Sequence, residues 1–138
     1  MNASPREGTA LEGEGVVTGA PRRWLGLEGL VLLAGALTAF GILGQPWWIV
    51  PAAVLVPDLA AAGYLAGTRP GARLYNLAHA TLLPAVMLGA GYWQADRLAE
   101  ALALVWLAHI GLDRLLGMGL KYSDRFTHTH LGDRPDAR

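Results

Sequence analysis

Long segments of this chain carry almost no charge. Residues 24–66 contain two charged side chains, residues 74–95 contain none, and residues 101–120 contain two. A surface helix of a soluble domain places polar residues along one face, whereas about 20 consecutive apolar residues match the hydrocarbon thickness of a bilayer. The pattern therefore predicts an integral membrane protein.

The apolar segments divide into four predicted transmembrane helices. The first segment is long enough for two spans, and Gly44-Gln45-Pro46 provides a turn between them. We therefore predict an all-α fold, a four-helix transmembrane bundle, formed by residues 22–122. The predicted spans cover residues 24–43, 46–66, 73–93 and 99–120.

Polar segments flank this four-span membrane domain. Residues 1–21 are rich in Gly, Glu, Ser, Thr and Pro and lack apolar periodicity, which is typical of a flexible N-terminal tail. Residues 123–138 are predicted to form a second polar tail, on the cytoplasmic side.

A cleaved signal peptide is the alternative interpretation of the first span. Arg22 and Arg23 precede an apolar run, and Ala34-Gly35-Ala36 has the form of a cleavage site. Glu28 interrupts this run, which favours a retained helix.

The basic residues predict the orientation of the bundle. Nine of them lie before span one, between spans two and three, or after span four, and Arg97 alone lies in a loop on the opposite side. Basic residues favour the cytoplasmic side of a membrane. We therefore expect both termini in the cytoplasm and a multi-pass protein of the bacterial inner membrane.

Five carboxylate and histidine side chains lie in the interior of the predicted spans. Ionisable residues in hydrocarbon are costly, and they usually face the bundle interior at a functional site or in pairs. With the predicted topology all five lie in the cytoplasmic third of the bundle, and they are Glu28, Asp58, His79, His109 and Asp113.

The spacing of these residues predicts which of them share a helix face. His109 and Asp113 are four residues apart, so they lie on one face of a helix. Tyr75 and His79 have the same spacing. Asp58 follows Pro57, and the proline removes a helical hydrogen bond and loosens the helix near residue 53.

Mixed imidazole and carboxylate groups suggest a metal site. Such ligands suit Zn, Mn or Fe, and a divalent ion would balance the net charge of the three carboxylates and Arg114. We predict a metal site formed by Asp58, His79, His109 and Asp113, with Glu28 as a further ligand. The predicted neighbours that would bind substrate or support the ligands are Asn76, Tyr75, Arg114, His128 and His130.

Two other interpretations of the cluster remain open at this point. The polar side chains can hydrogen-bond one another simply to hold the helices together. They can also form a path for protons or ions.

Composition excludes several classes of function. The 11 basic residues equal the 11 acidic ones, which argues against a nucleic-acid-binding protein. The chain has no cysteine, which excludes thiolate nucleophiles and cysteine-ligated metals. No serine lies within a predicted span, so hydrolysis inside the membrane would require activated water.

Several short runs of the chain form a recognisable set. They are Leu27-Glu28-Gly29, Pro57-Asp58-Leu59, Gly63-Tyr64-Leu65-Ala66-Gly67, Tyr75-Asn76-Leu77-Ala78-His79, Trp106-Leu107-Ala108-His109-Ile110-Gly111-Leu112-Asp113-Arg114 and Gly119-Leu120-Lys121-Tyr122. These runs resemble the domain-of-unknown-function 4260 family of small bacterial integral membrane proteins. The resemblance covers about residues 24–132, and it implies a membrane location and four helices but no particular activity. In a looser way, the Pro-Asp pair and the intramembrane histidines are similar to those of membrane-bound metal-dependent hydrolases, although their order and spacing differ.

The enzyme hypothesis is therefore a metal-dependent hydrolase that acts on a lipid or polyprenyl substrate at the inner leaflet. Asp58 or Asp113 would act as the catalytic base, and the metal would activate water. The alternative is a proton- or ion-coupled transporter, or a structural subunit whose polar cluster holds helices together.

Overall fold

The structure, a computed structural model, describes residues 15–133. The chain is mostly helical. Five α-helices, one 3-10 segment and a short hairpin follow one another in the described part. Their bounds are α1 Gly19–Leu43, α2 Ile49–Ala53, the 3-10 segment Val56–Ala66, α3 Thr68–His79, α4 Leu82–Gln94, α5 Arg97–Leu115, β1 His128–Thr129 and β2 Gly132–Asp133.

Helix α5 lies at the centre of the fold. It packs against α1, α2, α4 and the 3-10 segment, and most of its side chains are buried. The Asp96 carboxylate accepts hydrogen bonds from the amides of Leu98 and Ala99 at 3.1 Å, so it caps the helix N-terminus.

Helices α1 and α5 cross at two glycines. A Cβ atom at Gly29 would lie 2.8 Å from the Gly111 carbonyl oxygen, and one at Gly111 would lie 2.6 Å from the Leu33 amide nitrogen. Small residues at this crossing let the two backbones touch, as in many membrane helix pairs. Further along, Phe40 of α1 is fully buried in a cluster with Ala101, Leu104 and Val105 of α5.

The predicted second span is broken at its proline. Helix α2 ends at Ala53 and the chain continues as the 3-10 segment. Pro57 has no amide proton to donate to the Ala53 carbonyl, which is the physical reason for the end of α2. The loosening predicted near residue 53 is confirmed.

The prediction of one continuous third span over residues 73–93 is wrong. Helix α3 ends at His79, Ala80 is extended with ψ 141°, and α4 begins at Leu82. Pro84 cannot donate to the Ala80 carbonyl and its ring crowds that oxygen, so a straight helix cannot pass residue 80.

The observed bounds of α1 and α5 also differ from those of the first and fourth predicted spans. Helix α1 begins at Gly19 rather than at residue 24. Helix α5 ends at Leu115, five residues before the predicted end, and Gly117 has a left-handed φ of 77° that turns the chain.

The segment after α5 folds back as a small β structure. The Tyr122 amide donates to the His128 carbonyl at 3.0 Å, and the His130 amide donates to the Leu120 carbonyl at 3.1 Å. Ahead of α1, the Val17 amide donates to the His130 carbonyl at 2.8 Å. Residues 15–18 and 118–133 therefore pack together, although the sequence predicted two separate tails; residues 1–14 and 134–138 of those tails lie outside the described part.

Within residues 15–133, two helical stretches are long and apolar enough to cross a membrane, Gly19–Leu43 and Ile49–Ala66. Only 17% and 11% of their most apolar windows are buried inside the fold. Large apolar side chains stand exposed on several elements, among them Val31, Ile42, Trp48, Leu65 and Trp93.

Candidate metal centre

Two breaks in the helical structure place Asp58 and His79 beside α5. Asp58 lies near the start of the 3-10 segment, and its amide donates to the Leu55 carbonyl at 3.1 Å. His79 is the last residue of α3. The Trp106 indole of α5 donates to the Ala78 carbonyl at 2.6 Å, so it satisfies a carbonyl that the end of α3 leaves without a helical partner.

Four ligand atoms converge at this place. One atom from each of Asp58, His79, His109 and Asp113 lies within 4.8 Å of the other three. The expected convergence of these four side chains is confirmed. They come from three elements: the 3-10 segment, α3 and α5.

The distances between the four ligand atoms define the size of the cluster. His79 Nε2 lies 3.2 Å from His109 Nε2, 3.3 Å from Asp58 Oδ1 and 3.6 Å from Asp113 Oδ2. His109 Nε2 lies 3.5 Å from Asp58 Oδ1 and 3.6 Å from Asp113 Oδ2. Ligands at about 2.0–2.1 Å from a tetrahedral zinc ion lie roughly 3.3–3.4 Å from one another. Five of the six distances between pairs of ligand atoms are therefore close to those around such an ion.

A hydrogen bond of Nδ1 orients the His79 ring. Its Nδ1 lies 2.9 Å from the Tyr75 carbonyl oxygen, and a carbonyl only accepts, so Nδ1 carries the proton. In the neutral ring Nε2 then has a lone pair directed at the other three ligand atoms. A ring that donates its far N–H to a backbone carbonyl is the usual arrangement of a metal-binding histidine. The Tyr75 ring stacks on His79 at 3.7 Å between centroids and holds its plane.

The four side chains differ in exposure. His79, His109 and Asp113 are 4%, 5% and 11% exposed, whereas Asp58 is 47% exposed. Asp58 lines a cavity of about 290 Å³ together with Tyr75, Lys121 and Phe126. Asp58 is therefore the member through which a molecule in the cavity can reach the cluster.

Two predicted site residues lie apart from the four ligand atoms. Glu28 is exposed on α1 and is not part of the converging group. Arg114 is half-buried, and its Cβ lies at the α1–α5 crossing, 2.8 Å from where a Cβ of Gly29 would be.

The two tail histidines also have other partners. His128 Nδ1 lies 2.7 Å from Asp124 Oδ2, and His130 Nδ1 accepts a hydrogen bond from the Leu120 amide at 2.9 Å. Burial opposes the ionisation of Asp124, but the hydrogen bonds from the His128 ring and the Arg125 amide outweigh it and hold the pKa of Asp124 below its usual range. These histidines support the C-terminal hairpin and do not join the cluster.

Asn76 connects the hairpin to α3. Its side-chain amide donates to the Lys121 carbonyl at 2.8 Å, and its oxygen accepts from the Lys121 amide at 2.7 Å. This pair of hydrogen bonds holds the C-terminal segment against α3 at Lys121, which lines the cavity.

Sequence reasoning missed Lys121 and Trp106. The Lys121 ammonium group lies 4.5 Å from the centroid of the Tyr75 ring and 3.6 Å from that of Phe126. Lys121 is the one lysine of the chain, and it lies in one of the runs that carry the family resemblance, but neither feature indicated a position beside the cluster.

Fold and site together define a helical protein with apolar, outward-facing helices and a buried cluster of two histidines and two aspartates. The chain belongs to the family described as Domain of unknown function (DUF4260), whose model matches residues 22–133. This confirms the resemblance seen in the sequence. No curated protein and no solved structure matches the chain.

Proposed function

We propose that this chain is an integral membrane hydrolase with one divalent transition metal, Zn, Mn or Fe, held by Asp58, His79, His109 and Asp113. Its substrate would be a lipid or polyprenyl compound of the inner leaflet. The observation that carries the proposal is the set of distances between the four ligand atoms, together with the proton on His79 Nδ1 that leaves Nε2 as a ligand.

The surface of the fold supports a membrane location. A core helix of a soluble protein is mostly buried, whereas both candidate spans expose most of their apolar windows. Exposed apolar surface on this scale is unusual for a soluble monomer and typical of a membrane or partner contact. The close crossing of α1 and α5 supports a retained first helix. Cleavage as a signal peptide would remove Gly29, the α1 residue that contacts Gly111 of α5.

The exposure of Asp58 supports a role for its carboxylate in catalysis. A catalytic ion keeps one position open for water and is held by three protein ligands. His79, His109 and Asp113 would therefore hold the ion during the reaction, and Asp58, the exposed member, would give up its position to a water molecule whose pKa the ion would lower to near neutrality. Asp58 would accept the proton of this water as the water oxygen bonds to the carbonyl carbon or phosphorus of the substrate. The bond from that atom to the leaving oxygen would break with its electron pair, and the proton would pass from Asp58 to the leaving oxygen.

One observation favours the alternative, a structural subunit or a proton- or ion-coupled transporter. His109 Nε2 can donate to His79 Nε2 at 3.2 Å, and a protonated histidine can pair with either aspartate. The cluster can thus join α3, α5 and the 3-10 segment without an ion.

Labelling of single cysteines tests the membrane topology. The chain has no cysteine of its own, so background labelling is absent. In intact cells we expect cysteines at Thr68 and Ser123 to be shielded from an impermeant maleimide, and those at Gln45 and Gln94 to react. Reaction at Thr68 without permeabilisation would reverse the proposed orientation.

Hydrolysis of chromogenic probes tests the activity. We expect purified protein with zinc or manganese to release nitrophenolate from 4-nitrophenyl decanoate or 4-nitrophenyl decyl phosphate. The Asp58→Asn variant should lower the rate by about 10²–10⁴-fold, the usual loss when a general base is removed.

Glu28→Gln is the matched control for this experiment, because Glu28 is an exposed carboxylate outside the cluster. Its rate should equal that of the wild type. Release of nitrophenolate that survives both chelation and the Asp58→Asn change would rule out the proposed mechanism.

A further inference from the structure

An open groove of about 660 Å³ lies where the beginning of α1 meets the end of α5. Arg22 and Arg23 of α1 and Arg114 of the last turn of α5 line it. Its other lining residues are Gly19, Gly26, Leu27, Leu115, Leu116, Gly117 and Leu131. None of these residues is acidic, so the arginines give the groove a positive charge.

The partners of these arginines distinguish them from Arg97, at the other end of α5. Arg97 pairs with Glu100 at 3.6 Å. In contrast, the three arginines of the groove form no hydrogen bond or ion pair among the residues that the structure describes. The first turn of α1 contains no acidic residue either. Positive charges gathered at one place repel one another and attract an anion.

Glycines set the position of the Arg22 side chain. A Cβ atom at Gly117 would lie 2.6 Å from Arg22 Nη2, and one at Gly132 would lie 3.5 Å from the same atom. The guanidinium group therefore lies against the turn after α5 and against the hairpin, where glycine leaves room for it. Arg114 is half-buried against α1. Two of the three positive charges thus have positions that the packing defines.

Apolar side chains continue from the groove onto the outer surface of the helices. Leu27, Leu115 and Leu116 line the groove and are exposed, and α1 is a candidate span. A phospholipid has the same two parts, because its phosphate is joined to hydrocarbon chains. Basic pockets between transmembrane helices on the cytoplasmic side bind phospholipid heads, and a planar guanidinium group matches two phosphate oxygens at once.

We infer that this groove binds the phosphate head of an acidic phospholipid, whose chains lie along the exposed leucines. None of the four ligands of the proposed metal centre lines the groove, so the lipid is a bound component of the protein rather than its substrate. The inference rests on the membrane location in the proposed function, and not on its metal or its reaction. Free phosphate shares the head chemistry but makes no contact with the leucines.

Binding of three probes to the full chain in a non-ionic detergent tests the inference. The probes are dioleoyl phosphatidylglycerol, dioleoyl phosphatidylcholine and inorganic phosphate, each measured by microscale thermophoresis. A hydrogen bond to a charged group changes an affinity by about tenfold or more. Phosphatidylglycerol should therefore bind at least about tenfold more tightly than phosphatidylcholine, whose own ammonium group balances its phosphate.

Two results of this comparison would overturn the inference. Equal affinity for the two lipids would show that the groove does not recognise an acidic head. Equal affinity for phosphatidylglycerol and inorganic phosphate would show that the lipid chains contribute nothing, and the site would then be one for a free anion.

Variants of Arg22 test the contact with the phosphate. Arg22 is exposed, so Arg22→Gln should fold normally, and it should weaken phosphatidylglycerol binding by about tenfold. Arg22→Lys should restore only part of the affinity, because an ammonium group does not match two phosphate oxygens at once. Unchanged binding in Arg22→Gln would contradict the inference.

Arg73→Gln is the matched control for Arg22→Gln. It removes an exposed arginine of α3 that does not line the groove. A non-ionic micelle has no anionic surface that a distant charge could favour, so the affinity should equal that of the wild type. A loss as large as that in Arg22→Gln would mean that only total charge attracts the lipid, and the proposed site would be wrong.

The glutamates that precede α1 in the sequence are the other candidate occupant of the groove. Glu7, Glu12 and Glu14 lie outside the described residues. If their carboxylates filled the groove, replacing all three with glutamine would free it for the lipid. We expect this triple variant to bind phosphatidylglycerol like the wild type. A gain of about tenfold or more in affinity would identify the carboxylates as the occupant and exclude the lipid.

Cell fractionation and metal content separate this inference from the proposed function. If the protein is in the membrane fraction but shows no preference for phosphatidylglycerol, the head-group site is wrong and the membrane location stands. If the protein is absent from the membrane fraction, the location fails and the inference fails with it. If the protein prefers phosphatidylglycerol but holds no metal, the proposed reaction fails and the head-group site stands.

Discussion

Replacing His109 with alanine is expected to remove most of the metal that stays bound through purification. We expect the wild-type protein, purified in mild detergent without chelators, to hold about one divalent transition metal per chain. Four-ligand structural zinc sites bind with apparent free energies of ~10–16 kcal/mol, so each ligand supplies roughly 3 kcal/mol. Loss of one imidazole should therefore weaken binding by about a hundredfold. Inductively coupled plasma mass spectrometry of the purified variant measures the loss directly.

His128→Ala is the matched control for this prediction. It also removes a buried histidine, but one bound to Asp124 and outside the cluster, so the metal content should remain near that of the wild type. Asp113→Asn should reduce metal binding as well, because it removes a buried negative charge from the site. The metal site would be ruled out if the wild-type protein is free of metal and gains no thermal stability from added zinc or manganese. The cluster would then serve only as a contact between helices.

The site could be predicted from the sequence because its residues are marked by where they occur. His109 and Asp113 are one helical turn apart. A polar side chain in an apolar segment costs free energy unless it contacts a polar partner. The predicted topology placed Asp58 and His79 at the same depth as this pair, and the structure confirms that the four side chains converge.

Glu28 shows where this reasoning fails. It lies at a similar predicted depth, yet it is exposed on α1 and does not belong to the converging group. Depth along a helix follows from residue number, but rotation about the helix axis depends on packing. For α1 that rotation is set by the Gly29–Gly111 contact, which a single sequence does not reveal.

The helix breaks were predictable to different degrees. Pro57 indicated the end of α2, because a proline acts on the carbonyl four residues earlier. The same rule applied to Pro84 would have indicated the break at Ala80, but hydropathy alone runs without interruption through that point. The position of Lys121 over the cavity could not be predicted, since it depends on a long-range pair of hydrogen bonds with Asn76.

The second large effect is expected at the crossing of α1 and α5. The Gly111→Ala variant places a methyl group 2.6 Å from the Leu33 amide nitrogen and 2.7 Å from the Gly29 carbonyl oxygen. Both are backbone atoms, so relief requires the two helices to separate. Overpacking of this kind costs about 1–3 kcal/mol. We expect a fall of that size in the free energy of unfolding, measured by SDS titration of the protein in mixed micelles.

Gly35→Ala is the matched control for Gly111→Ala. A Cβ at Gly35 would meet no atom within 4 Å, and alanine favours a helix over glycine by about 0.8–1.0 kcal/mol, so this variant should be neutral or slightly more stable. Because Gly111 lies between His109 and Asp113 on α5, a displaced helix should also weaken the metal site, and zinc affinity should fall in Gly111→Ala but not in Gly35→Ala. If the two variants have equal stability, α1 does not pack against α5 through its glycines, and the argument for a retained first helix loses its basis.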